Sequence, residues 1–175
     1  MDKEISASCA LWFPHHFLGD IRSQGRRGVF FQQSNNDCGA AALKMIFEHF
    51  EIAMDYRLLL HRLQNGSADT TMLDIKTLAE SAGLLCDGWR LSARDLFRIP
   101  IPAVLLVHRK HFVVLAGIHG DRGALILDPV RGRLRISMRR LVSVWQGETL
   151  IFRQPSKQRR NDGSRRAWVD RFGKR

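Results

Sequence analysis

The run Gln32-Gln33-Ser34-Asn35-Asn36-Asp37-Cys38-Gly39-Ala40-Ala41-Ala42-Leu43 decides how the rest of this chain is read. Polar, turn-forming residues give way at Cys38 to a small-residue stretch. Leu43, Ile46, Phe47 and Phe50 then recur at helical spacing. The pattern predicts a helix to about Phe50, with Asn36 or Asp37 as its N-cap and Cys38 in its first turn. A helix N-terminus carries partial positive charge and unpaired N–H groups. Both favour a thiolate, the nucleophilic form of cysteine. A free cysteine is often just a small buried apolar residue. A place between a capping Asp and Gly-Ala-Ala-Ala sets Cys38 apart. Upstream, a glutamine, Gln32 or Gln33, can offer its side-chain amide to a developing oxyanion. Asp37 is expected only to cap the helix, because its charge opposes a thiolate beside it.

Partners for a nucleophile follow downstream. His111 opens the apolar run His111-Phe112-Val113-Val114-Leu115-Ala116-Gly117, and Asp128 closes Ala124-Leu125-Ile126-Leu127-Asp128 before Pro129. Cys, His and Asp at element ends form a nucleophile, base and orienter series. His108 competes with His111. In a hairpin, His108 falls in the turn and His111 starts the next strand, so the two diverge and do not chelate a metal. His49, His61 and His119 fall on a helix surface or in turns. His15-His16 lacks further clustered ligands and is given no metal role.

Together the Gln32-to-Cys38 spacing, the Asp37-Cys38-Gly39 core, His111-Phe112-Val113-Val114, and Asp128-Pro129 followed by Gly132 resemble a known family. It is the papain-like double-glycine leader peptidase family, the cysteine peptidase domain usually fused to bacteriocin-exporting ABC transporters. The resemblance covers most of residues 30–153. It implies an α+β papain-like fold, with Cys38 at a helix start packed on a mostly antiparallel sheet. It selects His111 over His108 and Gln32 over Gln33, and gives Asp128 the orienting role. It implies cleavage after Gly-Gly or Gly-Ala at the end of a leader peptide whose amphipathic helix docks on an apolar groove. Exposed apolar residues between Ile52 and Met72 are the candidates for that groove. No metal or organic cofactor is needed. The partners implied are a leader peptide and a separate ABC transporter. A papain-like acyl transfer on a thioester or side-chain amide is the alternative, since the same triad serves it. An idle binding module need not keep Gln32, Cys38, His111 and Asp128 together.

Composition sets further bounds. The chain has 175 residues, enough for one domain with a substantial core, and 45% are hydrophobic. No run is long and apolar enough for a membrane span, and the N-terminus lacks the apolar stretch of a secretory signal. A free-standing, cytoplasmic peptidase is therefore expected. Cys9, Cys38 and Cys86 are an odd count without metal-type spacing, which fits a reducing compartment rather than a disulfide framework. Cys86 in Leu84-Leu85-Cys86 is expected to be a buried strand residue. The net charge is +11. Gln154 to Arg175 holds eight Lys or Arg and two Asp, more than half of that excess. The tail lacks aromatic interleaving and any groove-reading motif, so no specific nucleic-acid partner is expected. Membrane contact through Trp168, Val169 and Phe172 ranks below a solvated tail.

Along the chain, residues 1–29 are expected as an extension with a basic loop at Arg22 to Gly28. Residues 30–153 form the peptidase domain, and 154–175 a basic tail without a core. Val29-Phe30-Phe31 is expected as a short strand or an extended lead-in. Helices are expected at Tyr56 to Leu63, then after Thr71, whose Asp74 partner has capping-box form, with Gly83 as its stop. A strand over Leu84 to Arg90 and a short helix over Ser92 to Phe97 follow. Strands are expected near 103–107, 111–118, 124–128 and 133–136. Ser137 would cap a helix through Trp145 stopped at Gly147, and Leu150-Ile151-Phe152 would be the last strand.

Overall fold

Residues 111–118 show how the core divides. Phe112 and Val114 belong to one buried cluster, Val113 and Leu115 to another. Successive strand residues face opposite sides of a sheet, so this strand is covered on both faces. The structure is a computed structural model that describes residues 22–23, 28–63, 70–120 and 123–155. The basic tail from residue 156 onward and most of the N-terminal extension fall outside the described residues.

The elements in chain order are β1 (Arg22–Ser23), α1 (Cys38–His49), α2 (Tyr56–Leu63), α3 (Met72–Ser81), β2 (Leu85–Arg90) and a 3-10 turn (Asp95–Arg98). Then come β3 (Ala103–Val107), β4 (His111–Ile118), β5 (Ala124–Asp128), β6 (Gly132–Ile136), α4 (Met138–Val144) and β7 (Trp145–Arg153). The strands form one antiparallel sheet in the order β1-β6-β5-β4-β3-β7-β2. Leu43, Ile46 and Phe47 of α1, Leu59 of α2 and Ile75 of α3 pack on one face with Val104, Val114, Leu150 and Phe152. Leu96 of the 3-10 turn and Leu141 and Val144 of α4 pack on the other with Leu105, Ile126 and Ile136. No described helix is long and apolar enough to cross a membrane.

Local chemistry explains the ends. Thr71 Oγ1 accepts from Asp74 N–H at 3.2 Å and Asp74 accepts from Thr71 N–H at 2.8 Å, so the expected capping box is formed. Ser137 caps α4 through Arg140 N–H. The C-terminal expectations need correction. Gly147 stops no helix. α4 ends at Val144, and β7 begins at Trp145, well before Leu150. Pairing shifts between Leu105↔Thr149 and Val107↔Trp145, so β7 bulges around Gly147, whose φ is +107°. A Cβ there would meet Leu91 O at 2.8 Å. The basic stretch read as a loop contains the two-residue strand β1 at Arg22–Ser23, paired with Leu134 and Arg135 of β6. Val29 to Phe31 is not a strand; Phe30 instead packs on Tyr56 with ring centroids 4.4 Å apart.

Candidate active site

Sheet register brings the downstream residues together. His111 pairs with Val107 where β3 turns into β4, and Asp128 pairs with Gly132 where β5 turns into β6. Continuing the register Val114↔Leu127 by one residue sets Asp128 across from Val113. His111 and Asp128 are then diagonal neighbours on one side of adjacent strands. His111 Nε2 lies 3.1 Å from Asp128 Oδ1, with both side chains buried. Asp128 Oδ1 also accepts from Val130 N–H at 2.8 Å and Arg131 N–H at 3.3 Å. This turn fixes the carboxylate just before the chain leaves β5.

Cys38 is the first residue of α1 and is buried. Its thiol lies close enough to the His111 ring to raise it. Since Nε2 faces Asp128, Nδ1 is the ring atom turned to Cys38. Burial works against an imidazolium here. Hydrogen bonds and charges from Asp128 and Cys38 outweigh it and push His111 up to about 9. Gly39 fits this crowded start, because a Cβ would come within 2.8 Å of Thr70 Cγ2.

Gln32 lies at the same end of the sheet. Its backbone N–H donates to Pro129 O at 3.0 Å, which ties the loop before α1 to the turn after Asp128. Its Nε2 donates to Ser34 O at 2.7 Å, leaving a second N–H on that nitrogen. Of the four expected site residues, Cys38, His111 and Asp128 therefore form a contiguous set, and Gln32 is anchored beside Asp128 by its backbone.

Asp37 departs from expectation. It occupies the N-cap position but makes no side-chain cap. Its fully buried carboxylate instead accepts from Gln33 N–H at 2.9 Å, Ser34 N–H at 3.1 Å and Tyr56 O–H at 2.8 Å. Burial, the hydrogen bond to Asp37, and the charges of Asp37 and Cys38 all raise Tyr56, so its hydroxyl stays protonated and donates. Asp37 thus organises the loop that carries Gln32. No local pattern signals this link, because Tyr56 lies nineteen residues away.

Cys86 is buried in β2, as expected. Burial pushes its thiol up to about 12, against the opposing pull of Lys76. Iodoacetamide added to the folded protein is expected to label Cys38 ahead of Cys86. Peptide mapping by mass spectrometry checks this, and equal labelling would contradict it.

A cysteine at a helix start, meeting a histidine and an aspartate at strand ends of an antiparallel sheet, is the architecture of papain-like cysteine peptidase domains. The family model described as the peptidase C39 family matches residues 26–157, and this chain belongs to that family. The "Probable functional amyloid protease FapD" of Pseudomonas aeruginosa is 34% identical over 142 residues, which cover 73% of this chain and 61% of that protein. The lactococcin-G-processing and transport ATP-binding protein LagD of Lactococcus lactis is 26% identical over 73% of this chain and 19% of its own length. This chain thus spans less than two thirds of these curated relatives. A crystal structure of a double glycine motif protease from an AMS/PCAT transporter, in complex with the leader peptide, superposes with a TM-score of 0.69. That match is 26% identical and covers 78% of this chain and 99% of the other. The peptidase domain of Streptococcus ComA shares the fold at 21% identity, with a TM-score of 0.66, over 73% of this chain and 98% of its own.

Proposed function

We propose that this chain is a cysteine endopeptidase that cuts a leader peptide from an exported peptide or protein, directly after a Gly-Gly or Gly-Ala pair. The observation that carries this is the buried His111 held between the Cys38 thiol and the Asp128 carboxylate. Cys38 attacks the scissile carbonyl as the thiolate, with His111 as its protonated partner. The second N–H of Gln32 Nε2 and the Cys38 backbone N–H hold the oxyanion. His111 Nδ1 gives its proton to the leaving amine. It then takes one from water, which releases the leader from Cys38. Asp128 keeps the ring in the tautomer that leaves Nδ1 facing sulfur.

Two likenesses support the substrate. One is the transporter-derived protease bound to a leader peptide, and the other is the protease named for a functional amyloid. A separate transporter that exports the product is the partner this reading implies. Exposed Leu58 and Leu73 in α2 and α3 are consistent with an apolar surface for the leader helix.

The test is incubation of the purified chain with a synthetic leader ending in Gly-Gly followed by a short neutral cargo. A Cys38→Ala protein runs beside it, with products read by mass spectrometry. A cut after the second glycine, absent with Cys38→Ala, is expected. An intact peptide beside an active, alkylatable Cys38 would move the function to acyl transfer on another substrate.

A further inference from the structure

Around the His111–Asp128 pair, three separate segments converge with one sign of charge. His108 and Lys110 are exposed in the β3–β4 turn directly before His111. His108 and Arg109 have φ of +50° and +61°, so a tight left-handed turn presents these side chains. The His108 N–H donates to Val144 O at 2.8 Å, which brings the end of α4 to this turn. Arg140 lies one helical turn before Val144 on the same side of α4. Arg131 follows Asp128 in the β5–β6 turn and donates its backbone N–H to that carboxylate.

The electrostatics agree with this placement. Burial lowers His108, and Arg140, His111 and Lys110 lower it further. Burial also lowers Arg131, with Asp128 opposing and Arg140 adding to the fall. Between Val107 and Val144, Asp128 is the one carboxylate among the described residues, and it is fully buried against His111. The rim beside the catalytic histidine is therefore basic, with its nearby acid already engaged.

We propose that this rim, His108, Lys110, Arg131 and Arg140, receives acidic side chains in the first residues of the cargo, just after the scissile bond. The inference rests on the peptidase reading above. In that reading the oxyanion lies toward Gln32 and the leaving amine toward His111. The chain beyond the cut therefore leaves past the segments that flank His111. Each exposed ion pair contributes little alone, but several like charges on one short segment add up and are weakened by salt.

Binding separates this inference from the peptidase reading, because it needs no turnover. Full-length Cys38→Ala protein is titrated with labelled peptides that share one Gly-Gly leader. Their cargo begins with three Asp/Glu, three Ser/Gln or three Lys residues. The acidic cargo is expected to bind about tenfold more tightly than the lysine cargo at low salt, with the gap closing as salt rises. R131Q/R140Q should remove the gap, and R131K/R140K should restore it. Circular dichroism confirms that each variant is folded. Equal affinity for acidic and lysine cargo, or a gap that survives in R131Q/R140Q, overturns the proposal. So does a charge effect on a DNA oligonucleotide or on anionic phosphatidylserine vesicles without any discrimination among peptides. If the neutral-cargo peptide is not cut by the wild-type chain while the binding gap stands, the peptidase reading fails and the acid-binding rim does not.

Discussion

His111→Ala is expected to lower cleavage of a Gly-Gly leader peptide by roughly 10⁴-fold or more, down to the level of Cys38→Ala. The two groups act as one unit, so removing both should cost little more than removing either. The pH dependence identifies the unit. His111 is raised from its ordinary 6.5 to about 9 by Asp128 and Cys38, in spite of burial. The rate should therefore fall above about pH 9, where the imidazolium is lost. Asp128→Asn removes one source of the elevation and leaves burial in place, so the descending limb should move to lower pH. Stability carries the same sign. A folded-state pKa above the unfolded one contributes stability that is complete below about 6.5 and lost as pH rises through about 9. Chemical denaturation across that window should show a loss on the order of 2 kcal/mol in the parent. The loss should flatten in Asp128→Asn. An unchanged limb in Asp128→Asn would remove Asp128 from the orienting role.

Asp37→Ala is expected to be the most damaging change outside those three residues. It leaves the Gln33 and Ser34 N–H groups and the Tyr56 hydroxyl without their acceptor. Hydrogen bonds to a buried carboxylate are among the stronger ones, and each orphaned donor carries a desolvation cost. A loss of about 3 kcal/mol is expected for Asp37→Ala and about 1.5 kcal/mol for Tyr56→Phe, read from denaturant midpoints. Asp37 acts through the loop, which makes it a positioning residue. In the folded fraction, kcat should fall while KM holds, since Asp37 is buried under the Gln32 loop and is not among the exposed residues, Leu58 and Leu73, proposed for the leader surface. Asp37→Asn keeps one acceptor oxygen and should recover part of both losses. A variant that loses stability with kcat per folded molecule intact would reduce Asp37 to a structural anchor.

Much of the site was legible because its parts are local. Cys38 declares itself by the switch from turn residues to Gly-Ala-Ala-Ala, and His111 and Asp128 by their places at the ends of apolar runs. The capping box at Thr71 and the cap at Ser137 are chemistry within a few residues, and both appear as expected. The choice of Gln32 over Gln33 rested on family resemblance. The Gln32 amide is turned toward Ser34 O through one N–H, a detail set by the fold of the loop.

Sequence alone thus located most of the helices and strands and, with the family resemblance, singled out the residues proposed to carry the chemistry. Periodicity, caps and turn residues act over a turn of helix or a pair of residues. Tertiary structure decided what depends on distant partners. It set the diagonal register that puts His111 on Asp128 and pushed the His111 ring up to about 9. It replaced the expected cap at Asp37 with a buried link to Tyr56. It turned Gly147 from a helix stop into a strand bulge pressed against Leu91. It also gathered His108, Arg131 and Arg140 beside His111 from segments that are separate in the chain. A hydrogen bond, a charge contact or a close backbone approach is an energy between atoms in space, and only folding fixes those distances.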